Sequence, residues 1–365
     1  MNNKILITAI YPAPYRVELI NLIRNRFSAD VFFDYSNGDN RNDQWFTKGD
    51  YYLIDNGEGR KKFHQAIINI KKYSLVILYD YTTKNSIFLI SLCKTLSIPY
   101  VLNADGVMIT DHGSLWREKM KKFLISGAAG YFSSGKRAKE YFEKYGAKSG
   151  KIYTHTFSTL HHDDILDTPP CNERIISLRQ KLGVTDCKRI AVAVGRFIPL
   201  KRFDHLIQSW IDMPAEYHLI VIGGGSEEDN YRNIILKNHL NNVSLEGFHS
   251  KKELYDYYQA ADVLVHPTSY DVWGLVINEA MANGLPIVVS DHCVAGLELI
   301  KNGENGFLFE LDDHNTMKNY IKLIFENDEL RYKMREEALA TIKQYTIENM
   351  ADNQIAAIEG IINND

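Results

Sequence analysis

Ile190-Ala191-Val192-Ala193-Val194-Gly195 is an uncharged run that ends on a glycine, and Arg196-Phe197-Ile198-Pro199-Leu200-Lys201-Arg202 carries it into an amphipathic stretch beginning Phe203-Asp204. A short apolar run of this kind reads as a buried strand, and Phe203–Trp210 reads as a helix. Leu219-Ile220-Val221-Ile222-Gly223-Gly224-Gly225-Ser226 repeats the plan. Val263–Val265 and Pro286–Val289 add two strands, and Tyr231–His239, Lys251–Ala260 and Val276–Ala282 add helices. Strands separated by helices of that length predict parallel βαβ units and a doubly wound sheet.

The earlier half carries the same alternation. Lys4–Thr8, Val31–Phe33, Leu75–Tyr79, Tyr100–Leu102 and Gly130–Phe132 read as strands. Helices are expected near Tyr15–Phe27, Lys61–Lys72, Asn85–Leu96, Leu115–Ser126 and Lys136–Lys144. The pattern breaks at Asp167-Thr168-Pro169-Pro170, which suits either an interdomain linker or an ordinary loop. The expected division is a first Rossmann-like domain over 1–168 and a second over 169–347. Ligands of such sheets bind at the carboxyl ends of strands. Two facing sheets would therefore place a cleft between the domains and put function in the strand-to-helix loops.

A chain of 365 residues fits two domains better than one. Lysine plus arginine is 42 and aspartate plus glutamate is 46, a formal charge of −4 that makes no nucleic-acid binder of the chain as a whole. Cys93, Cys171, Cys187 and Cys293 form no CxxC pair, so neither a zinc knuckle nor a redox motif is expected. The thiols suit a reduced cytoplasmic compartment. No apolar run approaches the roughly 18 residues of a membrane-spanning helix.

Three constellations carry chemistry. In the first, Arg196 and Lys201 leave a strand ending at Gly195 and precede a helix. A planar guanidinium, a point charge and a nearby helix N-terminus suit a departing diphosphate, although a solvated basic loop looks the same in sequence. In the second, Gly223-Gly224-Gly225 permits close backbone approach to a phosphate or ribose, or a plain tight turn. The third is Pro267-Thr268-Ser269-Tyr270-Asp271-Val272-Trp273-Gly274-Leu275-Val276-Ile277-Asn278-Glu279-Ala280-Met281-Ala282. Asp271 and Glu279 have seven residues between them, with a helix expected to start near Gly274. Backbone there can meet a phosphate, and Glu279, further along the helix, can accept hydrogen bonds from ribose hydroxyls.

This third segment resembles the acidic–x7–acidic signature of the retaining glycosyltransferases of family 4 (group 1), which have the GT-B fold. The loop Gly195–Asp204 resembles the same family's Gly-Arg…Lys-Gly-x-Asp motif. Val221–Ser226, Leu245–Phe248, Tyr258–Val263 and Asn302–Phe307 fall in its order. Tyr11-Pro12-Ala13-Pro14-Tyr15-Arg16 is similar to the first loop of bacterial members.

The resemblance implies a sugar transfer with retention at the anomeric carbon, from a nucleotide diphosphate sugar, with uridine as the expected base. The second domain would hold the donor and the first the acceptor, a glycan or lipid-linked glycan. Arg196 and Lys201 would neutralise the diphosphate. Glu279 would hold the ribose and Asp271 the sugar hydroxyls. Trp273, Gly274 and Leu275 would meet the distal phosphate, Gly223 and Gly225 would line the site, and Gly247 and Phe248 would cover the base. Pro14, Tyr15 and Arg16 would form an acceptor-side loop. The last helix, about 348–365, would cross back to the first domain. No cofactor and no metal are implied, in keeping with the lack of a D-x-D triplet; His155, His161 and His162 show no metal-binding spacing.

Three departures from the family pattern stand out. Asp271 replaces the usual glutamate. Asp105 sits where a histidine often follows a strand, either orienting sugar or acceptor as a catalytic group or serving as a turn residue before Gly106. Arg202 replaces a glycine. The helix 115–124 pairs Trp116, Phe123 and Leu124 with lysines and suits either peripheral contact with the inner face of a membrane or ordinary packing. An epimerase on the same fold and a non-catalytic nucleotide-sugar-binding protein are the alternative functions.

Overall fold

A computed structural model describes residues 4–36, 49–108, 114–185 and 187–363. The chain forms two compact units, Met1–Thr159 with Tyr345–Asp365, and Leu160–Gln344.

In the first unit the elements are β1 (Lys4–Ala9), α1 (Pro14–Arg24), β2 (Ser28–Phe33), β3 (Tyr52–Leu53), α2 (Gly57–Ile68), β4 (Leu75–Leu78), α3 (Lys84–Leu96), β5 (Tyr100–Ala104), α4 (Leu115–Ile125), β6 (Gly130–Ser133), α5 (Lys136–Lys144) and β7 (Ile152–Thr154). Their strands form one sheet in the order β3-β2-β1-β4-β5-β6-β7, with every pairing parallel. β4 and β5 are buried along their whole length, which is why their sequences carry no charge.

The second unit contains α6 (Asn172–Lys181), β8 (Arg189–Arg196), α7 (Phe203–Ser209), β9 (Tyr217–Gly224), α8 (Glu228–Lys237), β10 (Val243–Glu246), α9 (Lys251–Ala260), β11 (Val263–His266), α10 (Leu275–Ala282), β12 (Ile287–Ser290), α11 (Val294–Leu299), β13 (Gly306–Phe309), α12 (His314–Glu326) and α13 (Asp328–Ile342). Its sheet runs β10-β9-β8-β11-β12-β13, again parallel throughout. Phe203, Trp210, Tyr231 and Phe325 anchor one core face. α9 begins at a capping box in which Ser250 and Glu253 satisfy each other's backbone N–H groups.

In both sheets the strand order reverses beside the first strand, at β1–β4 and at β8–β11. Such switch points open a crevice at the carboxyl ends of the strands. In the second unit the strands flanking it end in Arg196 and His266.

The structure departs from the sequence reading in several places. The units divide after Thr159 rather than after Thr168. Asp167–Pro170 belongs to the second unit, where the neighbouring Leu166 N–H donates to the Ala282 carbonyl at 2.9 Å. α1 begins at Pro14, a position where the missing N–H costs nothing, so Pro14, Tyr15 and Arg16 open a helix rather than lie in a loop. The sequence reading missed β3, β7, β10, β13, α6 and α11; β3 has two residues and β7 has three, too few to show a period.

α14 (Ile347–Asn363) belongs to the first unit. Gln354 Oε1 accepts from the Tyr79 hydroxyl at 2.6 Å, and Glu359 pairs with Arg26 at 2.6 Å. Among the described residues, no helix is long and apolar enough to cross a membrane.

Candidate functional site

Lys201 and Asp271 meet at the β8–β11 switch point of the second unit. The Lys201 Nζ donates to Asp271 Oδ2 at 2.5 Å, and both side chains are largely buried, 15% and 16% exposed. His266, the last residue of β11 and wholly buried, lies 3.1 Å from the same oxygen through Nε2. Burial alone would raise the Asp271 pKa. The His266 hydrogen bond and the Lys201 charge outweigh it and hold the carboxyl well below its ordinary value. The backbone fixes this residue too: Asp271 N–H donates to the His292 carbonyl, and its own carbonyl accepts from Val294. Arg196 ends β8 and is exposed, with its guanidinium paired to no carboxylate among the described residues. The Lys201 loop is tied down, because the Leu200 carbonyl accepts from Ser269 N–H and the Thr268 hydroxyl.

Three glycines have positions that only glycine can fill. Gly274 precedes α10 with φ +100°, and a Cβ there would stand 2.5 Å from the Cys293 sulfur. A Cβ on Gly223 would stand 1.9 Å from the Gly195 carbonyl oxygen, the residue paired with it across β8 and β9. Gly225 abuts the Phe197 backbone in the same way. Phe248 is 77% exposed, and its ring lies over Gly224, giving the glycine loop an open aromatic face. Trp273 is buried, and its indole N–H donates to Asn278 at 2.8 Å; Leu275 begins α10.

Glu279 lies further along α10, bonded to the Tyr258 hydroxyl at 3.2 Å and not to the Lys201–Asp271 pair. Burial pushes its carboxyl up to about 7, against the opposing effect of the Tyr258 hydrogen bond. A carboxyl balanced there can accept two hydroxyl hydrogen bonds once ionised.

In the first unit the structure brings Asp105 together with two of the α1 residues. Arg16, buried, forms an ion pair with Asp105, and the Tyr15 hydroxyl approaches the same oxygen at 3.5 Å. Asn103 donates to the other carboxylate oxygen at 2.7 Å. The Arg16 guanidinium stacks over the Tyr79 ring at 3.9 Å. Burial disfavours the Arg16 charge, but Asp105, Tyr15 and Tyr79 more than restore it. His155 is buried nearby, and neither ring nitrogen finds a hydrogen-bond partner among the described residues. The turn-residue reading of Asp105 therefore omits its main contact, a salt bridge to a residue 89 positions away.

Sequence reasoning missed His266, Cys293 and Tyr258. His266, Asp271 and Cys293 offer ligand atoms within 4.8 Å of one another, a grouping with metal-binding chemistry. The Lys201 ammonium already supplies a cation at its carboxylate, and burial pushes the Cys293 thiol up to about 12, away from the thiolate that a metal needs. His155 lies in the first unit, and His161 and His162 in the second.

Residues 175–341 match the family model described as glycosyl transferases group 1. The matched segment lies within the second unit. An uncharacterized glycosyltransferase of Haemophilus influenzae aligns with the chain at 27% identity over 311 residues, 80% of this chain and 87% of that one. The alpha-monoglucosyldiacylglycerol synthase of Acholeplasma laidlawii is 27% identical over 181 residues, so the match spans 48% of this chain and 45% of the synthase. Among solved structures, Anabaena Alr3699/HepE in complex with UDP superposes with a TM-score of 0.77 at 19% identity, covering 98% of both chains. The lipopolysaccharide outer core galactosyltransferase WaaB superposes at 0.71 with 17% identity, covering 98% of this chain and 99% of that one. The two units, each a Rossmann-like parallel sheet, have the GT-B fold of these neighbours.

Proposed function

We propose that the protein is a retaining glycosyltransferase that moves a sugar from a uridine diphosphate sugar to a glycan or lipid-linked glycan, without a metal. The observation that carries this reading is the set of groups at the β8–β11 switch point: the Lys201 ammonium, the Arg196 guanidinium and a backbone that glycine leaves open. In this reading the second unit holds the donor. Arg196 and Lys201 take the diphosphate, the turn Trp273–Leu275 meets its distal phosphate, Phe248 covers the base and Glu279 receives the ribose. Asp271 takes hydroxyls of the transferred sugar. The first unit receives the acceptor near Tyr15, Arg16 and Asp105. Alr3699/HepE, whose structures hold UDP and UDP-glucose, supports uridine as the base.

In the reaction the bond from the anomeric carbon to the diphosphate oxygen breaks, and the acceptor oxygen bonds to that carbon on the same face. The acceptor proton passes to the leaving phosphate oxygen. Negative charge grows on that oxygen, and fixed positive groups aimed at it are the dominant source of rate in such sites. An internal ammonium and guanidinium supply the charge that a divalent cation would otherwise provide.

The exposed face of α4 carries Leu115, Trp116 and Phe123 beside Arg117, Lys119 and Lys122. This face suits an anionic membrane surface, as a lipid-linked acceptor would require.

Thermal unfolding with nucleotides and nucleotide sugars, in the presence of a chelator, tests the proposal. Selective stabilisation by UDP and one UDP-sugar is expected. Stabilisation by GDP compounds alone would correct the base, and no response to any nucleotide would overturn the reading.

A further inference from the structure

We propose that His266 is a positioning residue for the donor sugar, holding the Asp271 carboxylate in place when a diphosphate draws Lys201 away. The inference rests on the reading that Asp271 takes sugar hydroxyls and Lys201 takes the diphosphate.

In the structure, Asp271 Oδ2 is shared by Lys201 at 2.5 Å and His266 at 3.1 Å. An ionised carboxylate only accepts, so the imidazole must donate through Nε2–H. Its Nδ1 is buried with no hydrogen-bond partner among the described residues. A bare acceptor nitrogen tolerates that setting. A second N–H there would be a buried donor without an acceptor, next to the Lys201 charge. The ring is therefore held neutral and in one tautomer; burial, with the Lys201 charge, lowers its pKa against the pull of Asp271. His266 contributes a fixed dipole rather than a second cation.

This division of labour matters once the donor arrives. The Lys201 ammonium cannot serve both Asp271 and a diphosphate at full strength. As it turns to phosphate, Asp271 keeps, among the described residues, His266 and a long 3.4 Å contact from Trp273 N–H. His266 cannot leave, because it ends β11 inside the sheet. The shorter aspartate side chain fits this arrangement: it keeps the carboxylate within reach of a ring fixed to a strand.

The test compares wild type, His266→Leu and His266→Gln by calorimetric titration with UDP and with UDP-glucose, UDP-galactose and UDP-N-acetylglucosamine. Glutamine places an amide N–H near where the imidazole Nε2–H lies. His266→Leu should lose about tenfold in affinity for the UDP-sugar preferred by wild type. Its affinity for UDP should stay unchanged, and His266→Gln should recover most of the loss. An unchanged ratio of UDP-sugar to UDP affinity in folded His266→Leu overturns the inference. Equal loss for UDP and UDP-sugar also overturns it, since that is the signature of general damage to the site. Should His266→Leu not fold, His266→Gln decides alone, because near-wild-type discrimination is required of it and its loss refutes the role. Failure of wild type to bind any uridine compound would remove the parent reading itself, a different result from a wild type that binds and a variant that does not differ.

Discussion

Acidification should loosen the first unit through His155. This imidazole is wholly buried against Phe132, near the Arg16–Asp105 pair. Burial, with the neighbouring Arg16 charge, lowers its pKa from 6.5 to about 4, although Asp105 pulls the other way. The folded state therefore resists a proton that the unfolded chain accepts. The stability contributed by the neutral ring is complete above pH 6.5 and is lost as pH falls toward 4. Between pH 7.5 and 5 the loss comes to about 2 kcal/mol, and it approaches about 3 kcal/mol at pH 4. The assay is amide hydrogen exchange of peptides from β4 to β7, comparing wild type with His155→Phe at each pH so that intrinsic exchange rates cancel. The two proteins should diverge below pH 6.5, with the wild type opening more readily. Parallel behaviour down to pH 5 would refute the reasoning and mean that the ring is hydrated or paired in solution.

Gly274→Ala should destabilise the second unit by about 1–3 kcal/mol through its left-handed backbone, with a further loss from the Cys293 contact; Cys293→Ala should restore only the contact part, as read by thermal unfolding. Arg16→Ala should cost about 2 kcal/mol, less than a fully buried pair because Asp105 is partly exposed. Adding Asp105→Asn should recover part of that loss in a denaturation cycle. UDP affinity should rise between pH 6 and 8 as Glu279 ionises around 7, by up to about tenfold, and Glu279→Gln should flatten the profile. A wild-type titration that is already flat would exclude an ionised Glu279 as the ribose acceptor.

The elements legible in sequence were those with enough residues to show a period. α9 and α5 have the bounds read from composition alone, Lys251–Ala260 and Lys136–Lys144. The Lys201–Asp271 meeting was legible only as two motifs, because nothing in a sequence says that residues 70 positions apart share an oxygen. The same limit hid the pairing of Arg16 with Asp105. His266 did leave a signal, a histidine at the end of an apolar run just before Pro267. Cys293 left none, since its role is to fill the space that Gly274 vacates. Arg202 shows what a departure from pattern means physically: its φ of +53° is a conformation that glycine adopts freely, which accounts for glycine in the related motif.

The return of α14 to the first unit governs the order of assembly during synthesis. Domains ordinarily fold as they leave the ribosome, the earlier one first. Here the first sheet is translated early, yet Tyr79 and Gly130 wait for Gln354 and Ile361 before their contacts are complete. The second unit, continuous from Leu160 to Gln344, faces no such delay. The second unit would thus complete its contacts ahead of the unit translated before it, and a chain released before α14 is made would carry one finished sheet and one with an uncovered apolar flank.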